Sequence, residues 1–591
     1  MSPLKRFAYY FVFFAFFGLA TNSYAQSSII KGIVSDSESG EGLPGVNIIV
    51  KGSQSSTSGL IGTQTDVSGS FELSVPDEFT VLTLTYVGYV SKDVVITSSD
   101  LVLTLDRDTL TLNEAVVLGF GSQTRANLSG AVDQVDMKNL EGRTISNVTQ
   151  GLQGLIPNLN IDYTAGAPGQ APNINIRGYT SINGGEPLII IDGIPSEARD
   201  LNTLDPMDVV SISVLRDASS AAIYGARAAN GVVLITTNSG SEGRMQISYD
   251  GYYALQNVAK TLDMLNADEY KMMMNEGARN AGLTEPFNEL EISEFDTDWQ
   301  DEIFTDNAPM INHQLTVSGG NAKSSFASSF SYFAQEGIIG AERSQFDRYT
   351  ARINSRHQVN KVFSFGNNLA YTHLIKRGIG TNESFNGVYS SALNLDPLTP
   401  VVETREEKLS AYPYDTEPVI LNGQGQPFGI SEYVGAEVVN PVALLEIQNN
   451  ETRKDQIVGN VFGELEFIPN LKLRSSFGID YAYLLNDNFR PLYFLNGAQL
   501  NDNKTSVTKS IERYYTWQWE NTLSYQVDLG DHDLSGLAGI TSLEFNFEDL
   551  SGFNAGVPVN DPDNVYLDLA TDTVWTANGG ALHSSLYSVF G

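Results

Sequence analysis

The sequence predicts a mainly β chain: a small N-terminal β-sandwich, then an α+β block, then a long run of strands that belong to a membrane-spanning sheet. Three observations carry this reading. Tyrosine (27), phenylalanine (29) and glycine (53) are abundant while only 18% of residues are charged, a balance that suits strands better than helices. Beyond residue 246, apolar and charged residues alternate with a period of two. The connections between those segments alternate short and long, as they do in outer-membrane barrels.

The first 25 residues read as an export signal. Lys5 and Arg6 form a basic start, Phe7–Ala20 an apolar run, and Ser23-Tyr24-Ala25 the small-residue cleavage site. A run of about 14 residues is too short to cross roughly 30 Å of hydrocarbon. With 35 basic against 70 acidic residues and a net charge of −35, the chain is repelled by phosphate backbones, so nucleic acid is excluded as a partner. There is no cysteine, so stability outside the cell rests on packed cores and a closed sheet rather than on disulfides.

Residues 26–105 hold six short β-rich runs: Ile29–Val34, Val46–Val50, Ser70–Val75, Val81–Val87, Asp93–Ile96 and Leu101–Leu105. Gly40, Gly42, Pro44-Gly45 and Gly69 punctuate them, which predicts a sandwich of about 75 residues. The runs Gly42-Leu43-Pro44-Gly45-Val46, Thr65-Asp66-Val67-Ser68-Gly69-Ser70-Phe71 and Tyr86-Val87-Gly88-Tyr89 resemble the carboxypeptidase-regulatory-like domain, a non-catalytic spacer or docking module. Residues 106–124 follow as a linker. Within it Asn113, Glu114, Ala115, Val116, Val117 and Leu118, followed by Gly119 and Gly121, make a short β-prone strand that is able to pair with the exposed edge of another protein.

Residues 125–243 carry the most specific sequence: Ile176-Arg177-Gly178, then Pro187–Pro195 with its Asp192-Gly193 turn, then the stretch Val214–Thr237. Leu188–Ile191 and Gly231–Thr237 read as buried strands, and Asp217 as the cap of an alanine-rich helix that stops at Gly225. Arg177, Arg216, Asp217 and Arg227 are charges in apolar or small surroundings, expected to pair within this block or to the wall around it, as structural bridges or as gating pairs that a pull on the chain breaks to open a path. Together these motifs resemble the SusC/RagA family of TonB-linked outer-membrane receptors. The resemblance implies that 125–243 is the plug, that Asn113–Leu118 is the TonB box, and that 244–591 is part of a transmembrane barrel of the 22-stranded type.

About ten strand-like segments follow: 246–258, 310–319, 324–334, 346–358, 361–376, 455–467, 471–485, 509–527, 533–548 and 585–591. On the fourth, Tyr349, Ala351 and Ile353 face one way, and Arg348, Thr350, Arg352, Asn354 and Arg356 the other. On the seventh, Leu471, Leu473, Phe477, Ile479 and Tyr481 oppose Lys472, Arg474 and Asp480. Apolar-out, charged-in dyads are what a sheet between lipid and a wet lumen needs. Connections after the even-numbered segments are tight and those after the odd-numbered ones long, which places the long ones outside the cell. A barrel of this class needs about twice the strands counted, so the chain is expected to be a truncated, N-terminal part of one.

The resemblance implies active import of a glycan or peptide cargo, energised by the TonB-ExbB-ExbD complex, with a SusD-like surface lipoprotein over the barrel mouth and outer-membrane lipid around it. A TonB-linked signalling receptor would carry a further module before the TonB box, and a surface adhesin would need neither plug nor TonB box. His313, His357, His373, His532 and His583 show no ligand spacing, and no nucleophile motif accompanies them, so no enzyme and no cofactor are expected. Acidic loops have the chemistry for calcium without EF-hand spacing. Tyr389, Tyr412, Tyr414, Phe428 and Tyr433 lie in long outer segments, where they would stack on sugars or pack the loops.

Overall fold

The computed structural model describes residues 27–37, 40–51, 61–76, 79–86, 89, 91–105, 115–117, 122–124, 132–140, 142–163, 166–178, 185–217, 221–288, 292–380, 387–528, 533–558, 560, 562, 565–573 and 575–591. The export signal lies outside them, as do Asn113, Glu114 and Leu118. Two compact units divide the chain, with the boundary at residues 116–129.

The first unit is a sandwich of two sheets. Ser27–Asp36 pairs antiparallel with Ser70–Pro76 and parallel with Asp100–Leu105. The second sheet runs Gly62–Gln64, Asn47–Val50, Val81–Thr85, Lys92–Val95. Seven strands are present among the described residues rather than six, because Gly62–Gln64 is too short and polar to register as an apolar run. Strict alternation buries one face of each main strand. Leu73, Val75, Ile48, Val50, Leu82, Leu84, Leu103 and Leu105 meet in a single core, and each such side chain contributes about 1.5–3 kcal/mol by leaving water.

The second unit begins with a five-stranded sheet in the order Val132–Asp136, Val209–Leu215, Val232–Thr237, Leu188–Ile191, Ile194–Ser196. The runs expected to be buried strands are so: Ile189, Val232, Val233 and Leu234 are almost wholly enclosed. A hairpin of Leu159–Asp162 with Asn173–Ile176 and a short helix, Val148–Leu152, pack into the same core. The helix expected after Asp217 is a 3-10 segment, Ala222–Ala228, which does not stop at Gly225 but kinks there, at φ 64°. Its N-cap position is Ala221, whose N–H reaches the Asp217 carbonyl. The Asp217 side chain pairs with Arg177.

Ten antiparallel strands then form one sheet in sequence order: Gly243–Gln256, Ala308–Asn321, Ser324–Gly337, Ala341–Gln358, Phe363–Arg377, Asn450–Ile468, Leu471–Arg490, Ser506–Asp528, Asp533–Ala555 and Thr576–Phe590. Burial is inverted relative to a soluble protein. On the fourth strand Arg348, Thr350, Arg352 and Asn354 are buried while Tyr349 and Ile353 are exposed, as the dyads require of a lipid-facing wall. The parity of the connections fails once. After the third strand the link is only Ile338-Ile339-Gly340, because Gln335 and Glu336 keep pairing with Phe346 and Gln345 and Gly340 turns at φ 78°. The polar residues that read as a long loop are strand ends.

The connections after the first, fifth and seventh strands fold together. Trp299, Ile303, Val388, Leu395, Phe428, Leu444 and Tyr493 share a core, and the Trp299 indole donates to the Asp396 carbonyl at 2.8 Å. Phe428 is thus a packing residue, and Tyr414 is part-buried with its hydroxyl accepting from Ile430 N–H, while Tyr412 and Tyr433 stand exposed.

One glycine sets the spacing of the wall. At Gly459 (φ 150°) a Cβ would lie 1.9 Å from the Asn368 carbonyl oxygen of the neighbouring strand. Gly459→Ala is expected to destabilise the sheet by about 1–3 kcal/mol through overpacking, seen as a lower temperature at which the compact band on a denaturing gel converts to the unfolded one. Gly423→Ala, where nothing lies within 4 Å, should leave that temperature unchanged.

Candidate functional site: a plug held to the sheet by buried charge

The lumen side of the sheet meets the five-stranded domain through charges. Asp192 and Gly193 occupy the two left-handed positions of a tight hairpin (φ 49° and 88°), the geometry a two-residue turn needs and Asp-Gly tolerates. That turn presents the Asp192 carboxylate, which accepts from Thr237 N–H (2.9 Å) and the Thr237 hydroxyl (2.6 Å). Asp205 caps the turn Pro206–Asp208, accepting from Met207 N–H, and Asp208 closes it. The loop thus aims two carboxylates at the wall three residues apart.

Arg348 and Arg352, four residues apart on the fourth strand, point into the lumen and receive them. Arg348 pairs with Asp205 at 3.3 Å, both wholly buried, and donates to the Asn202 and Leu204 carbonyls at 3.1 Å. Arg352 bridges Asp192 and Asp208, each at 3.3 Å. Asp208 also accepts from Gln314 and Ser329 on the second and third strands, both at 2.6 Å. On the sixth strand Lys454 holds Asp200 at 2.7 Å, and Asn460 donates to the Asp192 carbonyl at 2.7 Å. Burial pushes the Asp208 carboxyl above its ordinary range; Arg352 and Ser329 pull it back. Beside these charges the surfaces fit by shape: Phe346 lies where a side chain on Gly169 would be, and Ile194 fills the space left by Gly478.

The four charges singled out from sequence lie elsewhere. Arg177 pairs with Asp217 at 2.5 Å and Arg216 with Asp133 at 2.6 Å, both inside the five-stranded domain. Arg227 makes no ion pair among the described residues. Its Nε has no hydrogen-bond partner, and burial lowers its pKa. It lines a cavity of about 280 Å³ with Arg199, Lys454, Asp480 and Tyr514. The charges that do grip the wall were missed as a set. The Arg348/Arg352 spacing on the lumen face was readable; the plug partners, 143 to 160 residues away, carry no local mark beyond the two aspartates flanking Pro206. Of the expected TonB box, Ala115–Val117 is a short strand paired with Ser122–Thr124.

Removing Arg352 leaves Asp192 and Asp208 buried without their cation, a loss of about 3–5 kcal/mol. Arg352→Ala is therefore expected to loosen the domain from the sheet, read as faster limited proteolysis between residues 132 and 237, with the sheet itself still protected. Adding Asp208→Asn to that variant should recover part of the protection. Unchanged proteolysis in Arg352→Ala would show that the pair does not hold the domain.

Residues 124–232 match the family described as TonB-dependent Receptor Plug Domain, and residues 30–117 match the CarboxypepD_reg-like domain. TonB-dependent receptor P3 of Formosa agariphila is 32% identical over 520 residues, which are 87% of this chain and 48% of that protein. TonB-dependent receptor SusC of Bacteroides thetaiotaomicron is 28% identical over 566 residues, 91% of this chain and 52% of that one. The chain thus spans about half the length of the curated relatives it matches. In fold it is similar to the RagAB peptide importer in its "open-open" state, with a TM-score of 0.64 at 22% identity, covering 80% of this chain and 54% of that one. With plug, regulatory-like domain and barrel wall all accounted for, the chain belongs to the TonB-dependent receptors of the SusC/RagA type.

Proposed function

We propose that the receptor imports a nutrient, an oligosaccharide or a peptide, across the outer membrane, driven by a TonB-ExbB-ExbD complex that pulls on Asn113–Leu118. In this reading residues 26–105 are a periplasmic docking domain, 106–124 the linker and handle, 125–243 the plug and 244–591 the barrel wall. A SusD-like lipoprotein covers the outer mouth and delivers the cargo. The peptide alternative takes support from the RagAB peptide importer, the glycan alternative from exposed Tyr412 and Tyr433 in the outer connections.

The observation that carries the mechanism is an asymmetry within the plug. The first plug strand, Val132–Asp136, is an edge strand that pairs, among the described residues, with Val209–Leu215, and the ion pair from its Asp133 to Arg216 is partly exposed. The segments touching the wall, Asp192 and Asn202–Asp208, are held by charge that is wholly buried at Arg348–Asp205 and nearly so at Arg352. A pull applied ahead of residue 132 peels the edge strand one backbone bond at a time, whereas shearing the wall contacts would part several buried pairs at once and leave their charges uncompensated. The strand therefore leaves first and opens a path while the rest of the plug stays anchored.

The handle grips by strand addition, which uses backbone N–H groups. Val116→Pro should abolish growth on the cargo while surface binding of that cargo stays normal, and Val116→Ala should do much less harm. Import by Val116→Pro at the wild-type rate would place the handle elsewhere.

A further inference from the structure

The lipid-facing side of the sheet changes character along each strand toward the long connections. Near the middle it is apolar, with Ile353, Ile457, Val461 and Trp519 exposed. Next comes a row rich in aromatic and polar groups, in which Tyr349 pairs across to His373, His373 to Asp455 and Asp455 to Tyr483. Four residues further on, Arg377 pairs with Glu451, Glu451 with Asp487 and Asp487 with Lys509 in a fully charged row. Aromatic residues mark the edge of the hydrocarbon in such sheets. Four residues of a strand tilted by about 40° rise roughly 10 Å, so the charged row lies at headgroup level.

At that level the charge is not evenly matched. Arg377 Nε binds one oxygen of Glu451 at 3.0 Å and Arg453 Nη2 the other at 2.5 Å, so one carboxylate serves two guanidiniums. Lys509 and Asp487 pair one to one at 2.8 Å. Four cations, Arg343, Arg377, Arg453 and Lys509, line this region with three carboxylates, Glu342, Glu451 and Asp487, in a chain of net charge −35. Both Arg377 and Arg453 are half-exposed and line a cavity of about 800 Å³ together with Tyr566. Each guanidinium has five donors, more than one shared carboxylate can satisfy, and the fork geometry suits a phosphate.

We propose that this cavity binds the phosphate of an outer-leaflet lipid headgroup, held by Arg377 and Arg453 across Glu451. The inference rests on the orientation given under the proposed function, with the long connections outside the cell. None of these residues touches the plug contacts, so the site acts on the seat of the wall in the membrane and not on the opening of the plug.

The test is lipid retention by the detergent-purified receptor, measured by native mass spectrometry with bisphosphorylated lipid A and with its dephosphorylated form. The wild type should retain the phosphorylated lipid at least about ten-fold better than the dephosphorylated one, and Arg377→Gln with Arg453→Gln should remove that preference. Millimolar inorganic phosphate should not displace the lipid. Equal retention of both lipids, full retention by the double variant, or displacement by free phosphate would each overturn the proposal. Whole cells labelled from outside separate it from the reading beneath it. If residues 387–449 are reached and no lipid preference appears, this inference alone falls; if they are not reached, the orientation falls and takes it along.

Discussion

Everything else in this receptor depends on how charge is buried between plug and wall. Removing a carboxylate or guanidinium from water costs several kcal/mol, which only a close partner and full hydrogen bonding offset. Arg348 and Arg352 meet that demand with Asp205, Asp208 and Asp192, supported by backbone carbonyls and by Gln314 and Ser329. Because the partners come from two separate bodies, neither surface is well satisfied alone. The contact is therefore specific: it fixes the plug at one height and one rotation against strands two to six.

The same constraint shapes the rest of the site. Asp192 can reach the wall because an Asp-Gly hairpin puts it at a tip, and Thr237 holds its carboxylate in place. Asp208 can do so because Pro206 starts a short turn beside it. Gly169 and Gly478 keep the adjoining apolar surfaces close enough to exclude water. The pairs Arg216–Asp133 and Arg177–Asp217 are more open to solvent and, by the usual weakness of exposed ion pairs, hold less. In the proposed mechanism, a plug with one strongly held side and one peelable edge opens under a pull and returns to the same seat.

Much of this was legible in the sequence because membrane sheets leave a regular trace. Ten strand-like segments could be counted, and dyad alternation in several of them put Arg348 and Arg352 on the lumen face. The buried strands around Leu188–Ile191 and Val232–Thr237 were equally plain. What failed did so for physical reasons. Strands that run beyond the bilayer become polar on both faces, so Gln335–Glu336 and Ser344–Gln345 read as loop. The run after Asp217 has helix-forming alanines, but Gly225 at φ 64° breaks the helix, and the Asp217 carboxylate is drawn to Arg177. The plug–wall pairs join residues more than 140 positions apart, and no local pattern announces a contact of that range.

The claim that the plug opens by peeling its first strand while its wall contacts hold is best tested by import with the plug tied in two places. The chain has no cysteine, so introduced pairs are unambiguous. One pair, Gln134→Cys with Ser213→Cys, joins cross-strand neighbours of the edge strand. The other, Thr237→Cys with Asn354→Cys, joins plug to wall where their side chains now meet at 2.9 Å. With both disulfides formed, cargo uptake should stop in the first variant and recover on reduction, and should continue in the second. Uptake that continues through the first tie and stops at the second would contradict the account, because the plug would then have to leave the wall as one body.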